Sequence, residues 1–256
     1  MATPSVLAVA AHPDDIEFLM SGTLMLLGKA GYELHYMNIS SGDCGSTEHE
    51  NAVVRQIRRQ EGIDAATLIG ATYHESICDD LLIFYEEESL RKLAAVIRTI
   101  SPTILLTHSP SDYMEDHMNT CRLAVTAAFS RCMPNFHTSP PTQPIDHPVT
   151  VYHAQPYSHY DPLGNFVQPS YYVNVESVQE SKRQMLACHQ SQKQWLDESQ
   201  GLDSYLNTMQ ELDAQLGEQS GVFNYAEGWR KHLHLGFCGP DDDPLKDTLN
   251  DSIHLA

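Results

Sequence analysis

The sequence predicts an α/β fold: a Rossmann-like, doubly wound and mainly parallel sheet flanked by helices, in a single domain. Three observations carry this. SVLAVAA (5–11) and PTILLTH (102–108) are apolar without polar alternation, as strands buried on both faces of a parallel sheet are. Strand-like runs alternate with helix-length segments, the pattern that builds parallel crossovers. The chain has 256 residues and 41% hydrophobic content, enough for one large core.

The elements follow in order. DDIEFLMSGTLMLLGKAG (14–31) places Ile16, Leu19, Met20, Leu24 and Leu27 at helical spacing and stops at Gly31, so one amphipathic helix is expected. YELHYMNIS (32–40) reads as a strand, SGDCGSTE (41–48) as a loop, and roughly 50–69 as a long helix stopped by Gly70. ATYHESI (71–77) reads as the third strand, EEESLRKLAAVIRTI (86–100) as a helix, and PTILLTH as the fourth strand. A helix over about 117–131 comes next, then five prolines in 133–148 that mark an irregular loop. VTVYHAQ (149–155) and SYYVNVE (170–176) read as strands, and 177–196 and 202–217 as helices. The acidic stretch from Gly239 onward is expected to be loosely attached.

Composition narrows the function. A formal charge of −19 argues against nucleic acid and anionic membrane surfaces as partners. No apolar run reaches the roughly 18 residues of a membrane span, and MATPSVLAVAAHPDD lacks the basic start of a secretory signal. The six cysteines are scattered without a CxxC pair, as in a cytoplasmic protein with reduced thiols.

The chemistry concentrates at AVAAHPDD (8–15). In a doubly wound sheet, ligands bind beyond the carboxyl ends of strands where the strand order reverses, commonly between the first and fourth strands. His12, Asp14 and Asp15 end the first strand here, and the fourth leads to Asp112, Glu115, Asp116 and His117. A dinucleotide site wants glycines and free backbone amides at the first loop; two carboxylates there disfavour a pyrophosphate. Adjacent carboxylates and imidazoles suit a divalent metal, and mixed N and O donors favour zinc. The plainer alternative is that Asp14 or Asp15 only caps the following helix.

AHPDDIEF (11–18), Arg58-x-x-Glu61 with LIG (68–70) behind it, THSPSDYMEDH (107–117) and CHQSQ (188–192) resemble, in order, the motifs of the LmbE/PIG-L-type family. These are zinc-dependent N-deacetylases acting on N-acetylglucosaminyl compounds, including precursors of bacillithiol, mycothiol and glycosylphosphatidylinositol. The resemblance spans roughly 5–195, and NYAEGWR (224–230) extends it weakly, so 1–238 reads as the deacetylase domain and 239–256 as an acidic C-terminal tail.

The resemblance implies metal ligation by His12, Asp15 and His117, with Zn2+ as the cofactor and another divalent ion such as Fe2+ as the alternative. It implies Asp14 as the general base for an attacking water and Arg58 as a hydrogen-bond partner of sugar hydroxyls; the plain alternative for Arg58 is a surface pair with Glu61 or Asp64. Asp43 and Asp112, on loops at the same sheet edge, are placed with the substrate. One departure stands out: the family's H-P-D-H reads M-E-D-H at 114–117, so the histidine that normally stabilises the oxyanion is Met114. His108, Tyr113 and His189 are the candidate replacements, with His189 preferred as catalytic because it lies in a family motif; Asp116 would fix a histidine tautomer.

The expected function is zinc-dependent removal of the N-acetyl group from an N-acetylated amino sugar or its glycoside. The alternatives are an amidase on another N-acyl substrate, such as a thiol conjugate or antibiotic scaffold, and a weakened metal- or sugar-binding homologue. The expected partner is a small-molecule substrate, with homo-oligomerisation left open.

Overall fold

The computed structural model describes residues 3–194 and 204–256. Its order is β1 (Ser5–Ala10), α1 (Asp15–Leu19), α2 (Ser21–Lys29), β2 (Glu33–Asn38), α3 (Asn51–Leu68), β3 (Thr72–His74), α4 (Glu87–Ile100), β4 (Ile104–Thr107) and α5 (Glu115–Phe129). There follow β5 (Thr150–Ala154), β6 (Tyr171–Asn174), α6 (Gln179–Leu186), α7 (Ser204–Ser220), β7 (Ala226–Lys231), α8 (Pro244–Leu249) and β8 (Ile253–Leu255). One sheet runs β3-β2-β1-β4-β5-β7-β6-β8, parallel from β3 to β5 and antiparallel beyond.

The period of two along β1 divides the core. Val6, Ala8 and Ala10 join one apolar cluster with α1, α2, α6 and α7; Leu7, Val9 and Ala11 join the other with α4 and α5. Both faces are covered, which explains why β1 and β4 read as unbroken apolar runs. No helix among the described residues is long and apolar enough to cross a membrane.

Three expectations need correcting. The single helix over 14–31 is two, broken at Met20. The cause is remote in sequence: Glu227 on β7 accepts the amides of Gly22 and Thr23, each at 2.8 Å, and so starts a new helix there. A side chain at Gly22 would meet Val175 at 2.5 Å, so the close approach requires glycine. The helix expected over 177–196 ends at Leu186, turns at 187–189 and is helical again at 190–194. Residues 195–196 and 202–203 of the expected helices lie outside the described residues.

The segment after Gly239 is packed. Asp243 caps α8 and accepts the hydroxyls of Tyr152 and Tyr171 at 2.6 and 2.5 Å, Leu245 and Leu249 are buried, and β8 pairs with β6. The capping Asp, the Pro that opens the helix and the two leucines one turn apart were the readable signals, hidden by the acidic composition around them. The proline-rich loop is irregular as expected, and guanidinium groups hold it: Arg98 donates to Thr142 and Met133 carbonyls, and Arg131 to that of His147.

Lys182 is fully buried between Asp213 and Glu227, its Nζ 2.8 and 2.7 Å from their carboxylates. Lys182→Met leaves two buried carboxylates without a cation and should cost about 3–5 kcal/mol in urea unfolding; a loss below about 1 kcal/mol would show that these carboxylates find another partner. A second expectation concerns pH. Burial, with His232 and Arg230 nearby, pushes His153 down to about 4. Below the unfolded value of about 6.5, the unfolded chain takes a proton that the folded chain refuses, so stability falls as pH drops from about 6.5 to 4. His153→Gln should flatten the unfolding free energy over that window; an unchanged slope excludes His153 as a source.

Candidate metal centre

Val9 of β1 lies beside Thr107 of β4, so the two strands end together at the switch point. The ends are tied: the Ala11 amide donates to His108 Nε2 at 2.9 Å. Immediately beyond, Asp14 adopts φ 107°, the left-handed region, which a non-glycine residue enters only when its surroundings hold it there. It makes no capping bond to α1. Its Oδ2 accepts instead from Arg58 at 3.1 Å and from the Tyr205 hydroxyl at 2.8 Å. Arg58 also donates to the Pro13 carbonyl.

Asp15 turns the other way, accepting the His12 amide at 2.8 Å. His12 Nδ1 lies 3.3 Å from Asp15 Oδ2, and His117 Nε2 lies 3.4 Å from Asp15 Oδ1. The far nitrogens of both rings meet carboxylates. His12 Nε2 faces Asp116 at 3.1 Å and Asp80 at 3.2 Å, and His117 Nδ1 faces Asp112 at 3.0 Å. With those carboxylates accepting the ring protons, His12 Nδ1 and His117 Nε2 would be the nitrogens left to offer lone pairs to an ion beside Asp15. Donor atoms on a tetrahedral zinc with bonds of about 2.0–2.1 Å stand about 3.3–3.4 Å apart. His12 Nδ1 and His117 Nε2 each stand at that spacing from a different oxygen of Asp15, and donor atoms of the three residues lie within 4.8 Å of one another, so these residues could hold one ion.

Electrostatics point the same way. Burial alone lowers His12, yet Asp116, Asp15 and Asp80 carry it well above its usual value. Burial also opposes the charged form of His117, which Asp15 and Asp112 raise to about 9. Burial raises Asp15, but the imidazoles of His117 and His108 pull it well below the carboxylate range. Asp14, beside the cluster, is raised by burial against the opposing charge of Arg58. Positive charge is favoured at the centre, and Asp14 stands just outside it.

Other expected site residues have partners within the protein. Asp112 is fully buried and bonded to His117, out of reach of a substrate. Asp43 is also buried; it accepts from Ser41, the Asp80 amide and Arg55, and so braces the 79–81 loop. Arg58 is buried against Asp14, and its supposed surface partner Glu61 instead accepts the amide and hydroxyl of Ser191. His189 is fully buried with Nε2 3.3 Å from Glu17, a place that does not suit an oxyanion donor. Asp116 does meet a histidine, His12, and also accepts the Leu81 amide at 3.0 Å. Asp80 and Tyr205 were missed. Asp80 looks like one more acidic loop residue, and Tyr205 reaches the site from a helix nearly two hundred positions away. No local pattern marks either.

Residues 7–129 match the model of the family described as PIG-L: GlcNAc-PI de-N-acetylase. A 4-oxalmesaconate hydratase of Pseudomonas putida is 28% identical over 203 residues, 75% of this chain and 76% of the relative. The diacetylchitobiose deacetylase of Thermococcus kodakarensis is 28% identical over 235 residues, 88% of this chain and 82% of the relative. The structure of an N,N'-diacetylchitobiose deacetylase from Pyrococcus horikoshii superposes with a TM-score of 0.76 at 23% identity, covering 91% of this chain and 85% of the other. By these matches the first half of the chain resembles the PIG-L-type deacetylase family, and the whole described chain shares the fold of a diacetylchitobiose deacetylase.

Proposed function

We propose that the chain is a zinc-dependent amide hydrolase that removes the N-acetyl group from an uncharged amino sugar or its glycoside. The observation that carries this reading is the division of labour between adjacent aspartates. Asp15 belongs to the donor set with His12 and His117, whereas Asp14 is held beside it by Arg58 and Tyr205. A site that only bound metal would have no use for the second carboxylate.

A bound zinc ion would supply Lewis acidity, bringing the pKa of a water toward about 7 and drawing electron density from the amide carbonyl. Asp14 accepts the proton of the attacking water. Its buried position raises its basicity, as a general base working near neutrality requires. It then returns the proton to the departing amine. Tyr113 is the best placed of the three candidate oxyanion donors: 59% exposed, its ring meets His117 edge-on at 5.5 Å. His108 accepts the Ala11 amide and has no proton at that nitrogen to offer.

Charge ranks the substrates. The hydratase relative is named for a polycarboxylate, which wants unpaired cations. Here Arg58 is committed to Asp14 and Arg55 to Asp43 and Asp79, at 2.8 and 2.6 Å. Asp14, Asp43, Asp79 and Asp80 would repel a polyanion, and an uncharged sugar amide meets no such barrier.

His12→Ala, Asp15→Ala and His117→Ala should each weaken zinc binding at least about tenfold by chelator competition, with the fold retained; full affinity in any variant removes that residue from the ligand set. Asp14→Asn should keep zinc and lose about 10²–10⁴ in kcat for amine release from N-acetylated sugars. Near wild-type kcat would place the base elsewhere. Hydration of an unsaturated tricarboxylate without amine release from any N-acetyl sugar would overturn the reading as a whole.

A further inference from the structure

We propose that Tyr205 is a positioning residue for the Asp14 carboxylate, contributed by α7 from outside the stretch that matches the family model. This rests on the reading of Asp14 as proton acceptor. The Tyr205 hydroxyl donates to Asp14 Oδ2 at 2.8 Å, and Arg58 donates to the same oxygen at 3.1 Å. Asp14 Oδ1 makes no hydrogen bond among the described residues, and the side chain is 17% exposed. One oxygen is thereby anchored by two donors, while the side chain keeps part of its surface exposed. A carboxylate that must take a proton in one direction needs this asymmetry.

Two further observations indicate that the anchor matters. Asp14 holds a left-handed backbone with φ 107°, which its own local preferences do not favour, so outside contacts must fix it. Arg58 grips it from one side, bonding both the Pro13 carbonyl and the side chain; Tyr205 completes the hold from another element.

Tyr205 is itself locked. It is 4% exposed and packs edge-on against Phe18 at 5.1 Å. Phe18 meets Tyr157 at 5.7 Å, and Tyr157 meets Tyr113 at 6.0 Å. This aromatic wall runs from the buried base to the exposed rim and joins α7 to the site. Burial excludes Tyr205 from touching substrate, so its effect passes through Asp14.

Tyr205→Phe removes the hydroxyl and keeps the ring. In the zinc-loaded, full-length protein it should lower kcat for amine release about 10–100-fold, leaving KM within about twofold and zinc content and Tm unchanged. Tyr171→Phe, which removes a hydroxyl bonded to Asp243 far from the site, serves as the control and should leave kcat unchanged. A readout independent of turnover is the 13Cγ resonance of Asp14, in aspartate-labelled protein at one fixed pH, which should shift in Tyr205→Phe and stay in place in Tyr171→Phe. Unchanged kcat in an active enzyme, or an unmoved resonance, overturns the proposal. A fall in kcat accompanied by loss of zinc or of Tm would also overturn it, by making the role structural. If the wild type releases no amine, the functional reading fails, and the resonance alone still decides whether Tyr205 holds Asp14.

Discussion

Four carboxylates, those of Asp15, Asp80, Asp112 and Asp116, converge on two imidazoles where β1 and β4 end side by side. Such a gathering is electrostatically expensive in a partly buried place, and only positive charge relieves it. The surrounding carboxylates therefore raise both His12 and His117 above the usual imidazole range. A divalent ion would supply positive charge in the proposed site. The rest of the local architecture serves this constraint: the Ala11–His108 bond aligns the strand ends, and the 79–81 loop brings Asp80 and the Leu81 amide over His12 and Asp116.

Much of this was legible in the chain. Apolar runs placed β1 and β4, and the order reversal between them brought the His12–Asp15 loop and the Asp112–His117 loop to one place. Residues whose role depends on a local backbone feature, such as a strand end followed by Pro, are readable because chain geometry fixes where they point. Asp112 and Asp43 lie in the expected region but are bonded to protein groups there, Asp112 to His117 and Asp43 to Arg55 and the Asp80 amide. Sequence tells that a carboxylate is near the sheet edge; whether it faces the mouth or a histidine is set by side-chain packing. His189 was placed by a motif resemblance alone, which says nothing of the turn at 187–189 that sets its ring beside Glu17.

What stayed hidden lies in contacts between distant segments. Glu227 divides an apparently continuous helix, and Tyr205 reaches Asp14 across 191 positions. Periodicity reports on one element at a time, so it is blind to a carboxylate arriving from another strand. The acidic final stretch misled in the opposite way, since composition outweighed a short and well-signed capped helix.

The Glu227 contact also bears on how such a chain can be divided or recombined. All three metal-donor candidates and Asp14 lie before residue 130, so the N-terminal half looks like a module with a scaffold appended. It is not self-sufficient. Its second helix begins at amides that a strand of the other half must receive, and that same carboxylate is neutralised by Lys182 from a third segment. A chimera that exchanged the C-terminal half would inherit His12, Asp15 and His117 and still lose the start of the second helix, unless the incoming half carried an acid and a base in matching places. The unit of inheritance here is the whole sheet.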